Sequence, residues 1–184
     1  LITSILEKIS LYTSNINIFK QILSKPSIIL IIIYYLVIIL ILSKNKHYYL
    51  ILILLIFHKT IPLYNSNLEV VMFDVGEADS MLISTPSKKV NILIDTGRGI
   101  DINNIIIYLK SIGISKLNYL IITHGDEDHI GGALYLIDNF KVDNVILNKG
   151  DYTELEVELI THLKNKNIKY TNNINKIPLL GSYM

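Results

Sequence analysis

Two unbroken apolar runs, Ile28 to Leu42 and Tyr48 to Phe57, stand near the start of the chain, divided by Ser43-Lys44-Asn45-Lys46-His47. Runs with no polar alternation leave no face for water, so each predicts a helix enclosed on all sides. We read them as an antiparallel transmembrane hairpin preceded by an amphipathic or membrane-surface helix over Ile2 to Leu23; two buried helices of a soluble core are the alternative. At about 1.5 Å per residue the first run spans roughly 22 Å, short of the ~30 Å hydrocarbon core unless Ser27, Ser43 and flanking lysines sit at the interfaces. The second is shorter still unless it runs past His58 to Leu63. A secretory signal peptide fits poorly, because the apolar region starts only at Ile28 and no Met opens the chain. The expectation is a piece from the interior of a longer protein. Lys44 and Lys46 favour a cytoplasmic turn, against which Lys20, Lys25 and Lys59 argue.

From Leu68 the pattern changes to short β-rich segments alternating with amphipathic ones, and Pro62 to Asn67 marks the boundary. The expected division is 1–62, a membrane segment, and 63–184, a soluble domain. Strands are predicted over Leu68–Phe73, Met81–Ser84, Val90–Ile94, Leu117–Ile122, Val142–Leu147 and Ile168–Tyr170. Helices are predicted from Asp101 to Gly113, with Asp101 as N-cap and Ile102, Ile105, Ile106, Leu109 and Ile112 at helical spacing, and over Ala133–Phe140 and Glu154–Lys166. The order βββαβαβαβ is that of a layered α/β domain.

Charge separates the two parts. Residues 1–67 carry six lysines against Glu7, a balance of +5, whereas residues 68–184 carry eleven basic and fifteen acidic groups, a balance of −4. An acidic domain offers no electrostatic footprint for a polyanion, so nucleic-acid affinity would have to come from bound cations or other segments. The chain has no cysteine, which excludes disulfides, thiolate zinc sites and a thiol nucleophile. Any metal must sit on His, Asp or Glu.

Those residue types crowd one place, Thr123-His124-Gly125-Asp126-Glu127-Asp128-His129-Ile130-Gly131-Gly132, at the end of a predicted buried strand. Glycines allow the backbone to turn tightly, so side chains from a short loop can converge on one point. Neutral imidazole offers nitrogen, Asp offers charge, and a divalent cation relieves the repulsion among the crowded carboxylates. The bland alternative is a solvated acidic turn. An EF-hand loop is a worse fit, since the Asp spacing and the Gly and distal Glu positions do not match. His162 lies in a polar helical pattern and reads as an exposed histidine; His47 and His58 border the apolar runs and read as interface residues.

Ile122 to Gly132 resembles the His-x-Asp-x-Asp-His metal loop of the metallo-β-lactamase fold, and more closely its form in the ComEC family of DNA-uptake channel proteins. Phe73-Asp74-Val75-Gly76-Glu77-Ala78-Asp79-Ser80 looks like that family's Asp-Val-Gly-Gln-Gly-Asp-Ser, Leu93 to Gly97 like its Leu-Ile-Asp-x-Gly, and Tyr108 to Ile114 like its Leu-Lys-x-x-Gly-Ile. Glu77 and Ala78 depart from the family's Gln and Gly, which puts the backbone and polarity of that turn in question.

The resemblance implies an α/β chain, the first half of an αββα sandwich behind a transmembrane hairpin that ends a channel domain. It implies His124 and Asp126 at one metal position, Asp128 and His129 at or toward a second, and Asp95 and Asp79 in support, Asp95 by hydrogen bonding unless it merely forms a turn. Asp128 is the residue expected to be catalytic. The cofactors implied are two divalent ions, manganese or zinc, with manganese favoured because a carboxylate at Asp126 replaces an imidazole. The fold usually adds later ligands that would fall beyond Met184, so the chain alone is expected to bind metal weakly. The helix opening near Gly131-Gly132 is expected to aim N–H groups at a phosphate. The implied role is phosphodiester cleavage by a metal-activated water in a multi-pass protein of the bacterial cytoplasmic membrane, with the metal domain on the extracytoplasmic side. Its partners would be single- or double-stranded DNA, lipid and other DNA-uptake proteins. A membrane-anchored hydrolase of a small ester, amide or thioester, or an inactive channel fragment, are the alternatives.

Overall fold

The computed structural model describes residues 22–44 and 47–172, together with Thr3, Glu7, Lys8 and Leu11, so the helix expected over Ile2 to Leu23 lies almost wholly outside the described residues. The two apolar runs form α1 (Ile28–Lys44) and α2 (Tyr49–Thr60). They are antiparallel: Tyr34, early in α1, meets His58, late in α2, with its hydroxyl 3.2 Å from Nδ1. Among the described residues no helix is long and apolar enough to cross a membrane, which corrects the expected spans to a short apolar hairpin. The seventeen residues of α1 rise about 26 Å. Pro62 ends α2 by opening a 3-10 turn, Ile61–Tyr64, because a ring without an N–H cannot extend the α-helical ladder. His58 is also corrected from an interface position to a buried one, its Nε2 2.9 Å from the Ser24 carbonyl. His47 is half-buried beside Tyr49. The base of the hairpin rests on the domain through the Lys25 N–H, which donates to the Ser111 carbonyl.

The domain is built on strands β1 (Glu69–Met72), β2 (Met81–Ser84), β3 (Asn91–Ile94), β4 (Lys116–Leu117), β5 (Tyr119–Ile121), β6 (Lys141–Val142), β7 (Asn144–Ile146) and β8 (Lys169–Thr171). Six of them make one sheet in the order β1-β2-β3-β5-β7-β8, antiparallel across β1-β2-β3 and parallel from β3 to β8. The long strands expected at 117–122 and 142–147 are each broken by one polar residue, Asn118 and Asp143, and the leading pieces β4 and β6 pair as a separate two-stranded sheet. Register places Leu82, Leu93, Leu120 and Val145 side by side, all fully buried.

Helices α3 (Ile102–Ser111), α4 (Glu127–Ile130), α5 (Ala133–Asn139) and α6 (Glu154–Asn165) join those four residues in one core, through Ile102, Ile105 and Leu109 of α3, Leu136 of α5, and Leu159 and Leu163 of α6. The other face of the sheet is also apolar and largely open at its β1–β2 side: Val70 and Met72 are exposed, Met81, Ile83, Ile94 and Ile121 are half-buried, and Ile92 and Ile146 between them are buried. Asp101 stands at the N-cap position of α3 but makes no side-chain cap bond. Gly113, at φ +81°, closes the helix with Gly113 N–H to Lys110 O and Ile114 N–H to Leu109 O, a Schellman motif that needs the left-handed conformation. Away from the metal loop, a polar ladder, buried at Ser84 and Asn91 and half-buried at Asn118 and Asn144, links the strands: the Ser84 hydroxyl donates to Asn91 Oδ1, the Asn91 N–H to Asn118 Oδ1, and the Asn144 amide to the Asn118 carbonyl.

Candidate metal centre

The acidic loop leaves β5 at its C-terminal end and turns at once into α4, a one-turn helix absent from the sequence expectation. Asp126 stands at its N-cap position, and Glu127 and Asp128 fill the first turn, where negative charge suits the exposed N–H groups. Because α4 starts there, Asp128 and His129 are carried back beside His124. One donor atom from each of His124, Asp128 and His129 lies within 4.8 Å of the others. That spread is close to the ~4.4 Å that two ligands 2.2 Å from one ion can reach. The two imidazoles lie ring to ring, centroids 3.6 Å apart. Asp126 is more peripheral, with Oδ2 3.6 Å from His124 Nε2 and most of its side chain in water.

Hydrogen bonds set which ring nitrogen each histidine presents. Asp95, buried at the end of β3, accepts from the Thr123 N–H (2.9 Å), the Thr123 hydroxyl (2.6 Å) and His129 Nδ1 (2.9 Å). A carboxylate accepts, so the His129 proton sits on Nδ1 and Nε2 keeps its lone pair, the arrangement found behind metal-bound histidines. Since the Thr123 hydroxyl proton is given to Asp95, its oxygen accepts from His124 Nδ1 at 3.0 Å, and His124 too presents Nε2. Thr123 was invisible as a functional residue in the sequence; its signal is its place between a strand end and a histidine. Asp95 itself has φ +56°, a conformation that Asp tolerates better than most residues.

Asp79 reaches the site from the β1–β2 connection. Its N–H donates to the Asp128 carbonyl, its carbonyl accepts from Gly97, and its Oδ2 lies 3.8 Å from His129 Nε2. Ala78 is not in the left-handed region, so the missing glycine leaves that turn unstrained. Thr96 is a second residue the sequence did not single out: its hydroxyl lies 3.0 Å from the His129 carbonyl and accepts from the Gly132 N–H. The Gly131 N–H is likewise used, by Glu127 O. These bonds correct the expectation of free N–H groups aimed at a phosphate. His162 lies apart from this group, with Nε2 2.9 Å from Asp138.

The donor set, two imidazole nitrogens oriented by hydrogen bonds and one carboxylate, fits a divalent ion of the zinc or manganese kind. Residues 73–175 match the family model described as the metallo-beta-lactamase superfamily. Over 115 residues the chain is 33% identical to ComE operon protein 3 of Bacillus subtilis (strain 168), covering 54% of this chain and 15% of that protein. Among solved structures, a metallo-beta-lactamase from Hirschia baltica matches at 16% identity and TM-score 0.37, covering 60% of this chain and 49% of that one. The metallo-beta-lactamase FIM-1 from Pseudomonas aeruginosa, in a mono-zinc form, matches at 12% identity and TM-score 0.34, covering 59% and 50%.

Proposed function

The chain belongs to the metallo-beta-lactamase superfamily, and from that premise we propose that it is the metal-dependent phosphodiesterase part of a DNA-uptake protein like its competence-operon relative. The observation that carries the reading is the convergence of His124, Asp128 and His129 with both imidazoles oriented from behind. The chain spans about 15% of the length of that relative, so substrate and partners are part of the proposal. His124, Asp126, Asp128 and His129 would hold the metal, two ions in all, with manganese preferred because oxygen donors are well represented. A divalent ion supplies an acidified water as nucleophile and stabilises charge on phosphate oxygens. The chain's own part is to hold and orient. Asp95 and Thr123 keep protons on the two Nδ1 atoms, α4 presents Asp128 beside them, and Asp79 closes the side facing β1–β2.

The hairpin of α1 and α2, within the expected membrane segment 1–62, supports placement at a membrane. Most apolar side chains of α1 and α2 are exposed, Ile28, Ile29, Leu36, Ile39 and Leu42 among them, and water is a poor neighbour for so large a patch. The domain from residue 63 onward would stand against the bacterial cytoplasmic membrane on its outer side, where incoming DNA, lipid and other uptake proteins meet it. The open apolar sheet face is what the first half of a sandwich would present to its second half.

The test is cleavage of labelled single- and double-stranded DNA by the chain in mild detergent, protein in excess, with Mn²⁺, Zn²⁺ or Mg²⁺. Cutting is expected to be strongest with Mn²⁺ and to vanish in Asp128→Ala and His129→Ala. Wild-type cutting by Asp128→Ala overturns the reading, and hydrolysis of a small ester or amide without DNA cleavage replaces it with the small-substrate one.

A further inference from the structure

Glu156 is a carboxylate with no exposed surface, in a helix whose other glutamates face water. It belongs to a capping box: its Oε2 accepts from the Thr153 N–H at 2.8 Å, and the Thr153 hydroxyl accepts from the Glu156 N–H. A capping box closes a helix equally well in water, so capping does not account for the burial. Its other oxygen, Oε1, is buried with no hydrogen-bond partner among the described residues, which is costly for a carboxylate. What the buried position achieves is contact with the acidic loop. The Thr153 hydroxyl donates to the Gly125 carbonyl at 3.1 Å, and both side chains of the capping box pack so closely on Gly125 that an added Cβ would run first into the Thr153 Oγ1 and would lie 2.6 Å from Glu156 Oε2 and 2.8 Å from its Cδ. Gly125 is the peptide between His124 and Asp126. His129 is fixed by Asp95 on its ring and Thr96 on its carbonyl, whereas the His124 ring hydrogen-bonds only with the Thr123 hydroxyl among the described residues and depends on the Gly125 peptide for its backbone position.

We infer that the capping box of α6 doubles as a clamp on the loop, with Glu156 a positioning residue that holds His124 in place for metal. The inference rests on the metal reading above. Glycine at 125 is what lets the Thr153 hydroxyl and the Glu156 carboxylate approach together, and the clamp acts on His124 while leaving His129 to its own supports.

The experiment uses the full chain in detergent, with Co²⁺ as the probe and its visible absorption as readout, alongside imidazole nitrogen NMR of the metal-free protein. Glu156→Ala is expected to weaken Co²⁺ binding at least tenfold, whereas Glu156→Gln, which keeps an acceptor for the capping box, stays within threefold. In the metal-free spectra His124 loses its fixed tautomer in Glu156→Ala and His129 keeps it, a difference that general loosening does not produce. Wild-type Co²⁺ affinity in Glu156→Ala, or equal disturbance of both rings, overturns the inference. If the alanine variant does not fold, Gly125→Ala probes the same contact from the loop side and is expected to disorder His124 with helix content retained; an unmoved His124 there also overturns it. A wild-type chain that binds no Co²⁺ refutes the metal reading, and the metal-free spectra then decide the clamp by themselves.

Discussion

Replacing Asp95 by Ala removes the acceptor for three donors at once. The Thr123 N–H, the Thr123 hydroxyl and His129 Nδ1 all converge on a carboxylate that is 3% exposed. A hydrogen bond to a charged group contributes about 1.5–3 kcal/mol, and His129, the buried donor, forfeits about 1–3 kcal/mol when stranded, whereas the exposed Thr123 can turn to water. Members of one network do not add, and the freed hydroxyl can turn to another acceptor, so the expected loss is about 3–5 kcal/mol rather than the full sum. Asp95→Asn keeps one acceptor oxygen and tolerates φ +56°, but its amide faces donors, so its expected loss is about 1.5–3 kcal/mol. For a domain near 100 residues the alanine change lowers Tm by about 12–20 °C. Circular-dichroism melts and urea titrations in a non-ionic detergent at neutral pH measure both variants. An alanine variant within about 1 kcal/mol of wild type, or an asparagine variant less stable than it, would refute the reasoning, because either result means that the three bonds do not hold loop to sheet.

Gly132→Ala places a Cβ 2.8 Å from the Ile102 Cβ and 3.0 Å from the Thr96 carbonyl oxygen, and is expected to destabilise by about 1–3 kcal/mol in the same melts. His162→Ala should leave Mn²⁺ affinity, measured by calorimetry, within twofold of wild type, while His129→Ala lowers it at least tenfold; equal losses would move the metal elsewhere. Asp138 is held below its ordinary 3.8 first by a hydrogen bond from Lys166 and then by one from His162. A depressed folded-state pKa gives stability that is present above the unfolded value and lost as pH falls through the folded one, so this contribution disappears only in acid. Lys166→Met is expected to raise the Asp138 midpoint in a carbon NMR titration, and an unmoved midpoint contradicts the pairing.

Strands β1, β2 and β3 and helices α3 and α6 are legible in the sequence, because each carries its own period and its own stop, as with Gly113 after α3. The split of two strands into four is not, because nothing local distinguishes Asn118 from a strand residue. Only the pairing of Leu117 with Val142 in a second sheet explains the break. Helix α4 is hidden for a related reason: a single turn does not form without tertiary support, and the acidic run that composes it looks like loop. Within the site, the loop from His124 to His129 announces itself by density of ligand-type residues. Thr123, Thr96 and Glu156 do not, since their roles arise from contacts across 28, 33 and 28–31 positions of chain, visible only after folding. In the hairpin the apolar runs gave the helices, which run past them to Lys44 and Thr60, but uniform apolarity alone did not make either long enough to cross a membrane.

A sheet with apolar residues on both faces has little means of knowing its own alignment. Sliding β3 by one residue against its neighbours would exchange Leu93 for Ile92 or Ile94 on the helix side, and water would scarcely object. The Ser84–Asn91–Asn118–Asn144 ladder answers differently. Every shifted alignment parts the Asn91 side chain from Ser84 and its N–H from Asn118, leaving amide groups in a dry interior with nothing to bond. These four small polar residues therefore work as keys: they add little to the cohesion of the domain, yet they decide which residues of β3 face the helices.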